Sequence, residues 1–496
     1  MSDDAAPEIE PPALPPSAPV CSIELGFPPG LKPHWRVLGA VAGARRKPRP
    51  LRLLWHDTPG RDLARHQLSL CKENNLWRLA ALRPNKQHVW PPLGLPPVIT
   101  QTANAEDLGL PDAPLAPVAS FAGQACTVEI TNDHGTVAIR WLDGQLQCVV
   151  DTLPIARLTL SGPPEAVRVL ALALADQGAC VPLASMAGSA LALAEHTPPV
   201  ARHKGASHVP EGANLADGMA FAIGQLVDAA LYWASEIPLA ATSEPVHQMR
   251  VAVRRLRSLL GMVRKADMGA LWRTTKIQLR DLACELGEAR EWDVFLEGTG
   301  AEMIQAWPGD PRITTLIGRA TKRRAAVYAT LRADLASPKM RRLAMELALF
   351  ATLRLFVVPD DLFWQTDIRA FAAHALRRRA RNLLAAGEDL AALPLPALHE
   401  VRKNAKRLRY GAEFVGDFWG GKATRKYLER LGELQEALGE INDAVSVEPL
   451  LAKLGPCGFA AGMAVGIATE RSMPALQEAQ NAWDKLCASD GFWEEN

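Results

Sequence analysis

The sequence predicts a multidomain α+β chain: an antiparallel β-meander or barrel first, then an all-α domain with two pseudo-symmetric halves. Three observations lead there. From Cys21 to about Leu160 the apolar residues fall in short, β-like runs separated by turn residues. From Leu215 onward their period becomes that of a helix and convincing strands disappear. Within this second half one basic stretch occurs twice, "HQMRVAVRRLR" from His247 and "HEVRKNAKRLR" from His399, 152 positions apart. A repeat of that length marks duplication of a multi-helix unit.

In chain order, residues 1–20, "MSDDAAPEIEPPALPPSAPV", are rich in Pro and Ala and read as a disordered tail, with none of the basic start and apolar run of a secretory signal. The β half covers 21–196. Its strand signals are "SIELGF", "LRLLWHD", "LWRLAAL", "CTVEIT", "TVAIRWL", "QLQCVVD" and "ARLTLSG". Tight hairpins are expected at Asn132-Asp133-His134-Gly135 and at Asp143-Gly144. "SGPPEAVRVLALALAD" then supplies a helix behind a Ser161 cap with early prolines. Residues 197–214, holding Pro, Gly and His, read as a linker, and 215–490 form the helical domain.

Composition sets outer bounds. With 496 residues, 48% hydrophobic and 22% charged, the chain has the make-up of a globular protein. A net charge of +1 means that any strong field must come from segregating Lys and Arg from Asp and Glu. The eight cysteines are scattered without a C-x-x-C pair, favouring reduced, buried thiols over disulfides or zinc. No apolar run reaches transmembrane length, so no membrane association and a cytoplasmic location are expected.

On a helical wheel with His247 at zero, Arg250, Arg254 and Arg257 fall within roughly an 80° arc beside it, because offsets of 3, 7 and 10 share one face. Met249, Val253, Leu256, Leu260 and Val263 fall opposite. The second copy repeats this with His399, Arg402, Lys406 and Arg409 against Val401, Ala405, Leu408, Ala412 and Val415. Basic faces are ordinarily solvated and interleave Glu at i±4. Here no Asp or Glu lies between His247 and Lys265, and Glu400 sits at the edge of the second arc. The helix therefore tolerates repulsion that an outside anion could relieve. Arg predominates, which suits bidentate contact with phosphate oxygens. Arg255, Lys403 and Arg407, from the same two stretches, and the downstream pair Arg273 and Arg425, again 152 apart, complete the candidate contacts.

At these residues the sequence resembles the CHAD family, whose signature is a duplicated His-x-x-Arg-x-x-x-(Arg/Lys)-Arg-x-Arg helix followed by a Leu-Gly-x-x-(Arg/Asn)-(Asp/Glu) turn. The turn is answered here by "LGEARE" at Leu286 and "LGEIND" at Leu438. The resemblance covers about 215–490. It implies two four-helix bundles with a basic surface or central pore that binds inorganic polyphosphate, lined by Arg250, Arg254, Arg257, Arg402, Lys406 and Arg409. Residues 21–196 resemble a CYTH, or triphosphate-tunnel, domain with thinned chemistry. Where that family carries Glu-x-Glu-x-Lys, this chain has Ser22, Glu24 and Gly26; Cys71 and Glu73 replace expected arginines, and "PIARLTL" lacks its carboxylates.

A tunnel triphosphatase needs carboxylates for a divalent metal and a cationic ring for the triphosphate, so turnover should be lost. Arg52, Arg78, Arg83 and Arg140 remain as a weak anion site. The leading expectation is a non-catalytic polyphosphate binder that needs no metal or cofactor. The alternatives are an active metal-dependent triphosphatase or polyphosphatase, and a basic interaction protein acting on nucleic acid or on polyphosphate or polyhydroxyalkanoate granules. Nucleic acid is disfavoured: no aromatic interleaving, helix-turn-helix or zinc module accompanies the basic helices.

Overall fold

The computed structural model describes residues 20–42, 47–82, 92–108, 110, 114–197, 209, 212–263, 269–357, 361–387, 389–456 and 458–494. The Pro-rich tail up to residue 19, Arg83 and most of the linker lie outside them.

The β half contains β1 (Cys21–Phe27), β2 (Ala40–Ala42), β3 (Arg49–Asp57), β4 (Leu68–Glu73), β5 (Leu76–Ala81), β6 (Val98–Thr102), β7 (Ala116–Asn132), β8 (Gly135–Gln147) and β9 (Thr152–Gly162). They form one antiparallel sheet in the order β1-β9-β8-β7-β3-β4-β5-β6, with β2 on β7, curled into a half-barrel. Of the two forms the sequence allows, the open one is adopted, with β1 and β6 at its ends. Short helices α1 (Trp35–Leu38) and α2 (Asp62–Arg65) interrupt the early strands, and α3 (Pro164–Asp176) and α4 (Met186–Ala194) follow β9.

Alternation gives the sheet two buried faces. Ile23, Leu25, Val128, Ile130, Ile139, Leu158 and Leu160 join a core that runs on into the helical half. Leu53, Trp55, Phe121, Leu142 and Leu146, on the other face, pack against Met186, Ala190 and Leu191 of α4. Nothing in the sequence reading anticipated α4, which lies across the face carrying Glu24, Arg140 and Arg157.

Three local expectations are corrected. The Asn132–Gly135 hairpin forms, but Asp143-Gly144 is no turn: both lie inside the 13-residue β8. Gly144 instead faces Gly123 of β7, and a Cβ there would meet the Gly123 Cα at 2.5 Å, so the glycine serves a close backbone approach. Ser161 does not cap α3. It ends β9, its hydroxyl 2.8 Å from that of Ser22, and Pro163 holds the cap position. Among the described cysteines, all free, only Cys126 is buried, while Cys180, Cys284 and Cys487 are exposed.

The helical half comprises α5 (Leu215–Glu236), α6 (Glu244–Leu260), α7 (Gly269–Glu297), α8 (Thr299–Ala306), α9 (Pro311–Ala336), α10 (Pro338–Thr352), α11 (Ile368–Leu384), α12 (Leu395–Val415), α13 (Gly421–Ala452) and α14 (Gly458–Cys487). The duplication is visible in the element order, since α11, α12 and α13 repeat α5, α6 and α7. Asn214 and Asp367 cap the first helix of each copy by accepting from the N–H three residues on. The chain ahead of each helix pairs with its counterpart reciprocally: Leu215 N–H donates to Thr366 O (2.8 Å) and Ile368 N–H to Ala213 O (3.4 Å). Such an exchange is what a local pseudo-two-fold axis produces. The second copy has its own core, built from Leu376, Val401, Leu408, Leu431, Leu434 and Trp483. No helix among the described residues is long and apolar enough to cross a membrane.

Candidate functional site

Helices α6 and α12 are held by the stripes that the wheel assigns to their buried sides. Met249, Val253, Leu256, Leu260 and Val263 are at most 3% exposed, as are Val401, Ala405, Leu408, Ala412 and Val415. The two helices run antiparallel: Arg254 lies over the Tyr410 ring, 5.4 Å from its centroid, while the Ser258 hydroxyl reaches Arg407 O. Antiparallel packing about the pseudo-axis brings together the early parts of both basic faces.

The result is a group of four cations, Arg250, Arg254, Arg402 and Lys406. Lys406 is pushed down to about 6, first by burial and then by Arg402, Arg254 and Arg250. Arg250 is lowered to about 10 by burial and by Arg254, and Arg402 is lowered by burial. A buried cation ordinarily acquires a carboxylate. Here no described residue forms an ion pair with any of the four, and the Nε–H groups of Arg250 and Arg402, equivalent positions in the two copies, are buried without an acceptor. Glu291 and Asp443, also equivalent, act on Arg250 and Arg402 only at longer range.

The remaining candidates divide. His247 is lowered by burial and then by Arg290. Its counterpart His399 is exposed, with Nδ1 3.0 Å from Asn442 Oδ1. Arg290 and Asn442 are equivalent members of the two Leu-Gly turns, so each His meets the same turn. Arg255 and Arg409 are closed off by one carboxylate: Arg255 Nη2 donates to Glu413 Oε2 (2.9 Å) and Arg409 Nε to Glu413 Oε1 (2.8 Å). Lys403 pairs with Glu400 at 2.6 Å. Arg273 and Arg425 are exposed on α7 and α13, and neither contributes to the fields acting on the four cations. Arg257 and Arg407 are exposed and line a separate pocket.

Sequence reasoning missed Tyr410 and Glu413. Glu413 was within reach, because it stands four residues after Arg409; its bond to Arg255, from a helix 158 residues away, was not. Of the secondary basic clusters, "ALRRRAR" proves largely structural. Arg377 pairs with Glu494, Arg378 donates to Met262 O, and the buried Arg379 donates to Ser258 O and Arg407 O. These bonds cap the C-terminal carbonyls of α6.

In the β half the expected weak anion site is not assembled. Arg140 is paired with Glu73, Arg78 donates to Gln101, and Arg52 is exposed on the sheet face opposite Arg140. Glu24 is buried with Arg157 Nε 3.0 Å away, and Arg157 also donates to Ser189 of α4. The one surviving carboxylate of the tunnel motif is thereby committed to an internal cation.

Residues 222–452 match the family model of the CHAD domain. Among solved structures, the crystal structure of the CHAD domain from the plant Ricinus communis is similar with a TM-score of 0.50 at 24% identity, over 58% of this chain and 98% of that chain. That likeness concerns the fold. PptA from Streptomyces chartreusis matches with a TM-score of 0.42 at 16% identity, over 55% of this chain and 100% of that one. No curated protein matches the chain.

Proposed function

We propose that this CHAD-domain protein binds inorganic polyphosphate without hydrolysing it, through the cation group shared by α6 and α12. The observation that carries the reading is the absence of any described carboxylate partner for Arg250, Arg254, Arg402 and Lys406, together with the two buried Nε–H donors. A linear polyanion supplies closely spaced acceptors to both copies at once. Binding should be strongly salt-dependent, with log K falling against log salt at a slope of roughly −3 if four single-strand-like phosphate contacts form. A titration with long-chain polyphosphate from low to moderate salt measures this, and affinity that stays flat would refute the reading. Long-chain polyphosphate should also displace DNA, since stacking residues are missing from the group.

The non-catalytic part of the proposal draws support from the β half. Glu24 is neutralised by Arg157, Glu73 by Arg140, and the sheet face that carries them is covered by α4. A metal-bridged triphosphate would have to displace all three. The purified chain is expected to release no phosphate from triphosphate or ATP with Mg or Mn. Metal-dependent turnover that disappears in Glu24→Gln would overturn this expectation.

A further inference from the structure

The shift of 152 residues between the copies relates Arg257 to Arg409, Arg255 to Arg407 and Gly261 to Glu413. Arg255 and Arg409 come from different helices, and Glu413 joins them with one oxygen on each guanidinium. Their counterparts Arg407 and Arg257 also come from different helices and are close enough for Arg407 to lower Arg257. Between them the position of Glu413 is taken by Gly261, and there is a pocket of about 270 Å³ instead of a carboxylate. Arg257, Arg407, Asn382, Asn404 and Ser258 line it, with Arg378 and Arg379 behind, and none of the lining residues is acidic.

We infer that this pocket is a discrete oxyanion site, one per chain, which takes a phosphoryl group of a small phosphate anion between Arg257 and Arg407. Glu413 shows in the same molecule what such an arginine pair accepts: an anionic group with two oxygens, one for each guanidinium. Gly261 has withdrawn the internal carboxylate from one copy and left room for an external one. The walls suit the purpose. Arg379 is buried and satisfies Ser258 O and Arg407 O, which removes backbone carbonyls that would repel an anion. Arg407 is oriented by Asn404 Oδ1 at 3.0 Å. The site adjoins the central cation group through Arg254, which acts on Arg257, but it uses different side chains and does not depend on polyphosphate being the ligand of that group.

Calorimetry on the full chain with inorganic pyrophosphate tests this. The wild type is expected to bind one equivalent. Gly261→Glu, which supplies the missing carboxylate at a position with φ −79° that any residue can adopt, is expected to weaken binding at least tenfold. Glu413→Gly is expected to open the second pocket and raise the stoichiometry to two. Circular dichroism and melting confirm that each variant is folded. Absence of wild-type binding, or binding unchanged in both variants, overturns the inference. Long-chain polyphosphate titrated into the wild type tests the central group separately, so that either reading can fail while the other stands.

Discussion

Replacing Arg250 and Arg254 together with Gln is expected to weaken long-chain polyphosphate binding by about 100-fold or more, and replacing Arg402 and Lys406 together is expected to do the same. Each lost charge-assisted hydrogen bond is worth about 1.5–3 kcal/mol, so two remove at least about 3 kcal/mol, or two decades in affinity. Each pair of substitutions should lower the salt slope by roughly two units, one per contact. The equality of the two effects is the informative outcome. In one shared group, a chain held by one copy meets the other at high effective concentration, so losing either half costs long chains far more than short ones. Two independent sites would instead give half the stoichiometry with the remaining affinity unchanged at every chain length. Short and long polyphosphate titrated into wild type and both double variants separate these results. The same substitutions relieve repulsion in the empty protein, and should raise its melting temperature rather than lower it.

Polyphosphate binding should take up close to one proton per chain near pH 7.5. In the empty protein Lys406 lies at about 6 and is largely neutral there, held down by burial and by Arg402, Arg254 and Arg250 against the weaker pull of Asp443. A polyanion favours the charged ammonium and raises the value in the complex. Affinity should therefore fall by up to tenfold per pH unit from about pH 6 until the value in the complex is reached. His247, lowered by burial and Arg290, adds to the uptake where it too becomes charged on binding. Lys406→Arg keeps the charge without the titration and should remove most of the effect. Calorimetry in two buffers of different ionisation enthalpy gives the proton count, and zero uptake by the wild type would contradict the assignment. Stability carries the opposite sign. Between about pH 6 and the ordinary lysine range near 10.4 the unfolded chain binds this proton and the folded one does not, so the contribution of Lys406 makes the fold more stable as pH rises. Lys406→Met should lose that dependence and melt higher at pH 7.

The helical half was legible because its determinants are local. A 3.6-residue period, the acid-free stretch after His247 and the 152-residue repeat are all properties of contiguous sequence, and each buried stripe on α6 and α12 matches the wheel. The β half was less so. Asp143-Gly144 has the chemistry of a hairpin, yet its place in β8 is decided by pairing with Gly123 of β7. The helix α4 is hydrophobic for a reason visible only once the sheet face beneath it exists.

By itself the sequence determined which side chains could meet an anion: two copies of one basic face, each fixed by helical geometry. It could not determine which of those cations remain unpaired, because ion pairs depend on distances across the fold. Glu413 withdraws Arg255 and Arg409, and Arg157 neutralises Glu24, through contacts between residues 133 to 158 positions apart. Burial, likewise a property of the assembled helices, turns Lys406 from an ordinary lysine into a titrating group and leaves the Nε–H groups of Arg250 and Arg402 in need of an acceptor. The local period chose the candidates; low dielectric and the long-range pairing of charges selected among them.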